Sequence, residues 1–87
     1  MSQDNVKSFE REAFKKRLTQ LSAQKEVADA DFADAVYTAM SRFGVQEGDF
    51  RDTFGLSKDA VERWTMRKNL PQPGIRGKIL GWILQKM

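Results

Sequence analysis

Apolar residues recur along this chain at spacings of three and four, and this spacing most constrains its fold. Phe14, Leu18 and Leu21, for example, fall on one face of a helix. No alternation of apolar and polar residues is long enough to indicate a strand, and no segment repeats. The sequence therefore predicts an all-α protein.

Five helices follow from this pattern. The first spans residues 8 to about 24, and the polar, alanine-rich segment after it either continues the helix or forms a connection. Asp29 or Asp31 is suited to cap the second helix, and Gly44 to end it. The apolar face of that helix consists of Phe32, Val36, Met40 and Phe43.

Three shorter helices complete the predicted compact bundle. They span about residues 46 to 54, 58 to 67 and 75 to 85. The Leu-Pro-Gln-Pro-Gly segment at residues 70 to 74 separates the last two, because proline cannot continue a helix.

Length and composition exclude several functions. A chain of 87 residues has room for one modest core, and the absence of cysteine and histidine removes thiol nucleophiles, the commonest general base and the commonest metal ligands. We therefore expect no enzyme activity, metal or cofactor. The chain shows no secretory signal and no run of about 20 apolar residues, so we expect a soluble cytoplasmic protein without a membrane partner.

Positive charge is concentrated towards the C-terminus. Residues 1 to 44 carry seven basic and seven acidic side chains, whereas residues 45 to 87 carry eight and five. From Arg63 onward there are six basic residues and no acidic one. This distribution indicates either a surface that meets an anionic partner or a solvated basic face.

The last helix is apolar over roughly 200° of its circumference, wider than the stripe of about 100° that one core contact needs. One side is expected to pack on the domain. The other side packs either on the N-terminal helix or on a second copy of the protein. The apolar residues are Ile75, Ile79, Leu80, Trp82, Ile83, Leu84 and Met87.

Residues 47 to 66 have the features of a helix-turn-helix. Gly55 is placed where the turn needs a positive φ angle, Leu56 follows as a buried anchor, and Ser57 is suited to cap the next helix. Apolar residues line the inner face on both sides of the turn: Phe50, Phe54, Val61 and Trp64. Such bracing is what a helix inserted into the DNA major groove requires.

This pattern resembles the phage repressor and Cro type (lambda repressor-like) of helix-turn-helix family. The resemblance is carried by Phe54-Gly55-Leu56-Ser57, Val61, Arg63-Trp64 and Lys68-x-Leu70-Pro71, and it covers about residues 31 to 84. It implies a DNA-binding domain over residues 31–87 that acts as a homodimer. Residues 1–30, the N-terminal helix and its connection, are then an addition to the family pattern.

Three positions depart from the family. In the family, the first helix of the helix-turn-helix, called the bracing helix, usually has a small residue where this sequence has Arg51. Close contact with the second helix, called the recognition helix, then requires the Arg51 stem to bend outward. Arg67 replaces the glycine that often follows the recognition helix, which predicts a different helix end. Glu47 occupies the position of a glutamine that opens the bracing helix in many relatives, which argues against a phosphate contact there.

The candidate DNA-contacting residues lie on the outer face of the second helix of this unit and at its ends. Lys58, Arg63 and Arg67 are candidates for base edges or phosphates, and Lys68 for phosphate. Asp59 and Glu62 repel phosphate but are able to accept from a cytosine amino group. The full set is Ser57, Lys58, Asp59, Glu62, Arg63, Met66, Arg67 and Lys68.

Two functional hypotheses follow. The first is a sequence-specific regulator of transcription, most simply a repressor, whose homodimer places two recognition helices in successive major grooves of double-stranded DNA, about 34 Å apart. The second is a protein-interaction module, such as an antitoxin or a phage-encoded inhibitor, that holds a protein partner through the N-terminal helix and the wide apolar last helix.

Overall fold

A computed structural model describes residues 3–87, with side chains described from Ser8 onward, and every regular element in this range is an α-helix. The helices are α1 (Gln3–Ser22), α2 (Asp29–Phe43), α3 (Glu47–Phe54), α4 (Ala60–Thr65) and α5 (Pro73–Lys86). The predicted all-α class with about five helices is confirmed. Within the described residues, no helix has the length and apolar character needed to cross a membrane.

The segment after α1 is a connection, which decides between the two alternatives for this part of the chain. The Gln24 N–H donates to the Leu21 carbonyl at 3.0 Å and closes the last turn of α1. Val27 is then buried, 1% exposed, in the core. The connection therefore ends by inserting an apolar side chain before α2 begins.

The predicted side-chain cap of α2 is wrong, whereas its predicted end is confirmed. Ala28 is the N-cap residue and provides no side-chain hydrogen bond. The Asp29 carboxylate binds Arg76 instead. At the other end Gly44 adopts a left-handed conformation, φ +72°, and its N–H donates to the Ala39 carbonyl.

One hydrophobic cluster joins α1 to the rest of the chain. α1 contributes Phe14, Leu18 and Leu21, all buried as expected from their spacing. α1 packs mainly against α5, so the second apolar side of α5 is covered by the N-terminal helix. The buried residues of α5 are Ile79, Leu80 and Ile83 together with Arg76.

Five aromatic side chains fix α3 and α4 against α2 and α5. Trp64 of α4 meets Phe32 of α2 edge-on, with ring centroids 5.4 Å apart, and Phe50 of α3 at 6.4 Å. Trp82 of α5 lies 4.8 Å from Phe50 and 5.4 Å from Phe54. Aromatic pairs of this kind contribute about 0.5–1.5 kcal/mol each beyond their buried area. The orientation of α3 and α4 is therefore set by rings from two other helices.

A buried arginine connects the two longest loops. The Arg76 side chain is 6% exposed. Its Nη1 donates to the Val27 carbonyl at 2.7 Å and to Asp29 Oδ1 at 2.6 Å, while Nε donates to the Pro71 carbonyl at 2.9 Å. These bonds satisfy carbonyls that burial would otherwise leave unpaired. Arg76 thus holds the segment before α2 against the segment before α5.

Candidate nucleic-acid interface

The chain reverses between α3 and α4 through a left-handed glycine. Gly55 has φ +64°, which confirms the predicted positive angle, and its N–H donates to the Arg51 carbonyl. The Leu56 N–H donates to the same carbonyl at 3.1 Å. Leu56 is half-buried against the core. The turn is therefore closed by backbone hydrogen bonds and anchored by one apolar side chain.

The second helix of this unit is shorter than predicted, and the capping role predicted for Ser57 is wrong. α4 begins at Ala60, its N-cap residue is Asp59, and no side-chain capping bond forms there. The Ser57 carbonyl, rather than its hydroxyl, accepts from the Ala60 N–H at 3.2 Å. Ser57 and Lys58 consequently lie in the turn before α4 rather than in the helix.

α4 has a fixed inner side and an open outer side. Val61 is fully buried and Trp64 is 4% exposed, as predicted for core residues. Each of the eight candidate DNA-contacting residues is exposed, and Met66 is 52% exposed. The candidates are Ser57, Lys58, Asp59, Glu62, Arg63, Met66, Arg67 and Lys68. All eight therefore lie, exposed, on α4 and its two flanking turns, and together they are called the α4 face below.

α4 ends in a conformation that normally belongs to glycine. Arg67 has φ +60°, and the Lys68 N–H donates to the Arg63 carbonyl at 2.7 Å across it. This is the Schellman arrangement, in which glycine is the usual left-handed residue. The helix thus ends in the usual geometry with an arginine in the position of the glycine, and the predicted difference in helix end is wrong. A non-glycine residue here costs roughly 1–2 kcal/mol.

None of the six ion pairs among the described residues includes a residue of the α4 face. Seven cationic side chains in the described range have neither an ion pair nor a side-chain hydrogen bond. They are Lys16, Lys25, Lys58, Arg63, Arg67, Lys68 and Lys78. Four of the seven fall within residues 58 to 68. The α4 face therefore concentrates cations that no carboxylate within the described chain neutralises.

The basic C-terminal segment is less available than its sequence suggested. Arg76 is buried and bound to Asp29, and Lys86 Nζ lies 3.6 Å from Asp49 Oδ2 and over the Trp82 ring. Two of the six basic residues counted from Arg63 are thus occupied inside the molecule. The available charge lies nearer α4 than the count along the sequence indicated.

The two carboxylates of the α4 face are also without ion pairs in the described part of the chain. Asp59 and Glu62 are exposed, on the same surface as the four cations. An extended phosphate chain would be repelled at these two positions. The face is therefore of mixed sign, with four cations and two carboxylates.

Arg51 and Glu47 interact with each other on α3. Arg51 Nε lies 4.0 Å from Glu47 Oε2, and the Arg51 side chain is 39% exposed, in keeping with the outward bend expected from its position. This Nε atom is buried and has no hydrogen-bond partner. Glu47 is therefore engaged along its own helix.

Sequence analysis missed Tyr37 as a neighbour of the α4 face. A groove between α2 and α4 is lined by Ala33, Asp34, Tyr37, Thr65 and Arg67. Tyr37 is 58% exposed and lines this groove together with Arg67. The sequence could have indicated its exposure, because Tyr37 lies off the apolar face of α2, between the buried Val36 and the half-buried Met40.

No cluster of three or more acidic side chains within the described residues is arranged to hold a metal ion. Comparison of the chain with protein-family models, with curated proteins and with solved structures finds no match.

Proposed function

We propose that this protein binds double-stranded DNA through a helix-turn-helix formed by α3 and α4 and regulates transcription, as the resemblance to the phage repressor and Cro family implies. The observation that carries the proposal is the contrast between the two sides of α4. Val61 and Trp64 fix its inner side in the core, while the α4 face presents four cations that have no ion pair with any described residue. A rigid helix with an unneutralised outer face suits insertion into a groove lined by phosphates.

The residues of the α4 face divide between affinity and choice of site. Arg67 and Lys68, in the turn after α4, would meet phosphates, whose contacts give affinity without sequence information. Lys58 and Arg63 would read base edges, for which guanine is the usual acceptor. Asp59 and Glu62 would lower affinity for arbitrary DNA and accept from cytosine amino groups. The mixed charge therefore supports selective binding rather than general coating of DNA.

Repression follows from occupancy of a promoter by a homodimer. Two copies related by a two-fold axis would place their α4 faces in successive major grooves, about 34 Å apart, on a palindromic site. No ligand or cofactor is needed for this mechanism, because bound protein blocks polymerase directly. We propose that the protein lies in the cytoplasm, together with the DNA that it binds.

The test is a pair of double variants that remove equal charge from different surfaces. Lys58→Ala with Arg63→Ala alters the α4 face. Lys25→Ala with Lys78→Ala removes two exposed lysines, one from the connection after α1 and one from α5, neither of which has an ion pair among the described residues. Binding to duplexes selected from a random pool is measured by fluorescence anisotropy. We expect the first variant to lose about 30-fold or more in affinity, as two contacts of about 1 kcal/mol each imply.

The control variant should lose less than about threefold, because its lysines contribute only to the long-range field. Equal losses in the two variants would mean that net charge, not the α4 face, governs binding. Failure of the wild-type protein to enrich any duplex would contradict sequence-specific binding altogether.

The second candidate function, capture of a protein partner by an antitoxin or inhibitor, is supported by one observation. Phe9 on α1 is 76% exposed, more than any other large hydrophobic residue in the described range. The apolar sides of α1 and α5 pack against each other and are not free for a partner. Retention of a protein complex by the Lys58 and Arg63 double variant, with no DNA binding by the wild-type protein, would favour this function.

A further inference from the structure

The outward side of α1 carries an apolar residue beside a small one. Phe9, Ala13 and Lys16 follow one another at helical spacing on the side opposite the buried Phe14 and Leu18. A shallow depression on this side is lined by Phe9, Glu12, Ala13, Lys15, Lys16 and Thr19. Ala13, the smallest of these residues, lies in sequence between Phe9 and Lys16 and leaves room for a side chain from outside.

Two exposed side chains of opposite charge, Glu12 and Lys16, lie one turn apart on this side of α1. Glu10 and Glu12 precede Lys15, Lys16 and Arg17. Glu12 has its ion pair within the helix, with Lys15 Nζ at 3.8 Å, and Lys16 has none in the described structure. Glu10 and Arg17 are engaged elsewhere, in ion pairs with Arg42 and Asp31 of α2. Reversing the direction of a second copy of α1 sets the Glu12 of each copy near the Lys16 of the other. The face is therefore complementary to itself in an antiparallel arrangement.

We infer that this side of α1 is the contact between two copies of the chain, with the α1 helices antiparallel and Ala13 on the two-fold axis. With a rise of about 1.5 Å per residue, Phe9 lies about 6 Å from Ala13 along the axis, and the partner's Lys16 lies about 4.5 Å away in the same direction. Phe9 thus packs over the stem and ammonium of the partner's Lys16.

In the same register, Glu12 lies about 3 Å along the axis from the partner's Lys16, within reach of an ion pair. A two-fold axis repeats each contact, so that both glutamates and both lysines are used. Ala13 permits the helices to approach closely at the axis. These three residue types in this order explain why an exposed phenylalanine is flanked by a small residue and an unpaired lysine.

A single pair of helices buries less than the roughly 800 Å² per partner of a standard interface, so the dimer is weak in free solution. Binding of both copies to one DNA site raises their effective concentration and strengthens the contact. This inference rests on the homodimer of the proposed function. Its test uses no DNA, so that loss of this contact and loss of DNA binding are separate results.

The first experiment is disulfide trapping, which detects weak contacts and suits a chain without cysteine. Ala13→Cys places a thiol on the proposed axis, and Ala30→Cys places one at an exposed position of α2 as the matched control. Under mild oxidation we expect Ala13→Cys to form dimers at least about tenfold faster, because the two-fold axis brings the thiols together. Equal rates would overturn the proposed axis.

The second experiment swaps charges in the Ala13→Cys background. Glu12→Lys alone, or Lys16→Glu alone, sets like charges against each other in a homodimer and should slow trapping about tenfold. A mixture of the two proteins, one isotopically labelled, pairs opposite charges and should restore trapping as heterodimers. Mixing cannot repair a folding defect, so restoration is specific to the contact.

A mixture no faster than the single variants would overturn the antiparallel register, and the face would then belong to a different partner. Phe9→Ala provides the apolar test: we expect it to slow trapping at least about threefold, whereas Tyr37→Ala, at the exposed aromatic residue of α2, should leave the rate unchanged. Equal effects of these two substitutions would remove Phe9 from the interface.

Discussion

Substitution of Arg67 by glycine should make the protein more stable and a weaker DNA binder. Arg67 has φ +60°, a conformation that costs a non-glycine residue roughly 1–2 kcal/mol. Glycine removes this cost, but its greater conformational freedom in the unfolded chain lowers the free energy of unfolding by about 0.5–1 kcal/mol. We therefore expect a net gain of about 0.5–1 kcal/mol, which raises Tm by about 2–8 °C in a chain of this size.

Two companion variants separate the backbone from the side chain. Arg67→Ala keeps the left-handed strain and removes the charge, so its stability should stay within about 0.5 kcal/mol of wild type. Arg67→Lys keeps both strain and charge. Thermal and urea unfolding, followed by circular dichroism, should thus single out glycine as the stabilising substitution.

DNA affinity should follow the side chain instead. Arg67→Gly and Arg67→Ala should both lose about three- to tenfold, the loss expected for one phosphate contact, while Arg67→Lys should lose less. A glycine variant no more stable than the alanine variant would refute the strain argument. Affinity unchanged in all three variants would remove Arg67 from the interface.

Two further predictions concern the junctions that position the bundle. Gly77→Ala should lower the free energy of unfolding by about 1–2 kcal/mol, because a Cβ would lie 2.9 Å from the Ser22 carbonyl oxygen. Gly81→Ala should raise it by about 0.5–1 kcal/mol, because a Cβ there meets open space. Arg76→Met should lower the free energy of unfolding by about 2–4 kcal/mol, because it leaves buried carbonyls unpaired. Asp29→Ala should lower it by about 1 kcal/mol, because that carboxylate is largely exposed. Urea unfolding measures both.

The all-α class and the number of helices were predictable, because the spacing of the apolar residues follows the buried face of each helix. Leu18 and Val61 are fully buried where periodicity places an apolar residue. Gly44 and Gly55 marked helix ends because their positive φ angles suit no other residue as well. These features depend on local geometry, which a sequence states directly.

The capping residues and the availability of charge were not predictable. Asp29 and Ser57 are suitable caps by type, but Asp29 binds Arg76 and Ser57 lies too far before α4. Arg76 appears in the sequence as one of several basic residues, and only the fold brings carbonyls from two loops around it. Such roles depend on contacts between distant segments, and the spacing of apolar residues along the sequence does not predict these contacts.

The positions of the candidate DNA-contacting residues were partly predictable. The spacing of Val61 and Trp64 placed Glu62 and Arg63 outward, because buried neighbours at three apart define the inner side of a helix. The left-handed conformation of Arg67 was not evident, since arginine gives no sign of it. Tyr37 entered the groove beside α4 only through the packing of α2 on α4.

The dependence of duplex binding on salt tests the central claim most directly, because it requires no knowledge of the DNA sequence bound. If the α4 face meets phosphates, the logarithm of affinity falls linearly with the logarithm of salt concentration, with a slope of about −0.9 per contact. We expect a slope steeper than about −2 for the wild-type protein, and a shallower one when Arg67 and Lys68 are both replaced by alanine. A flat line, or the same slope in both proteins, would contradict binding of DNA through this face.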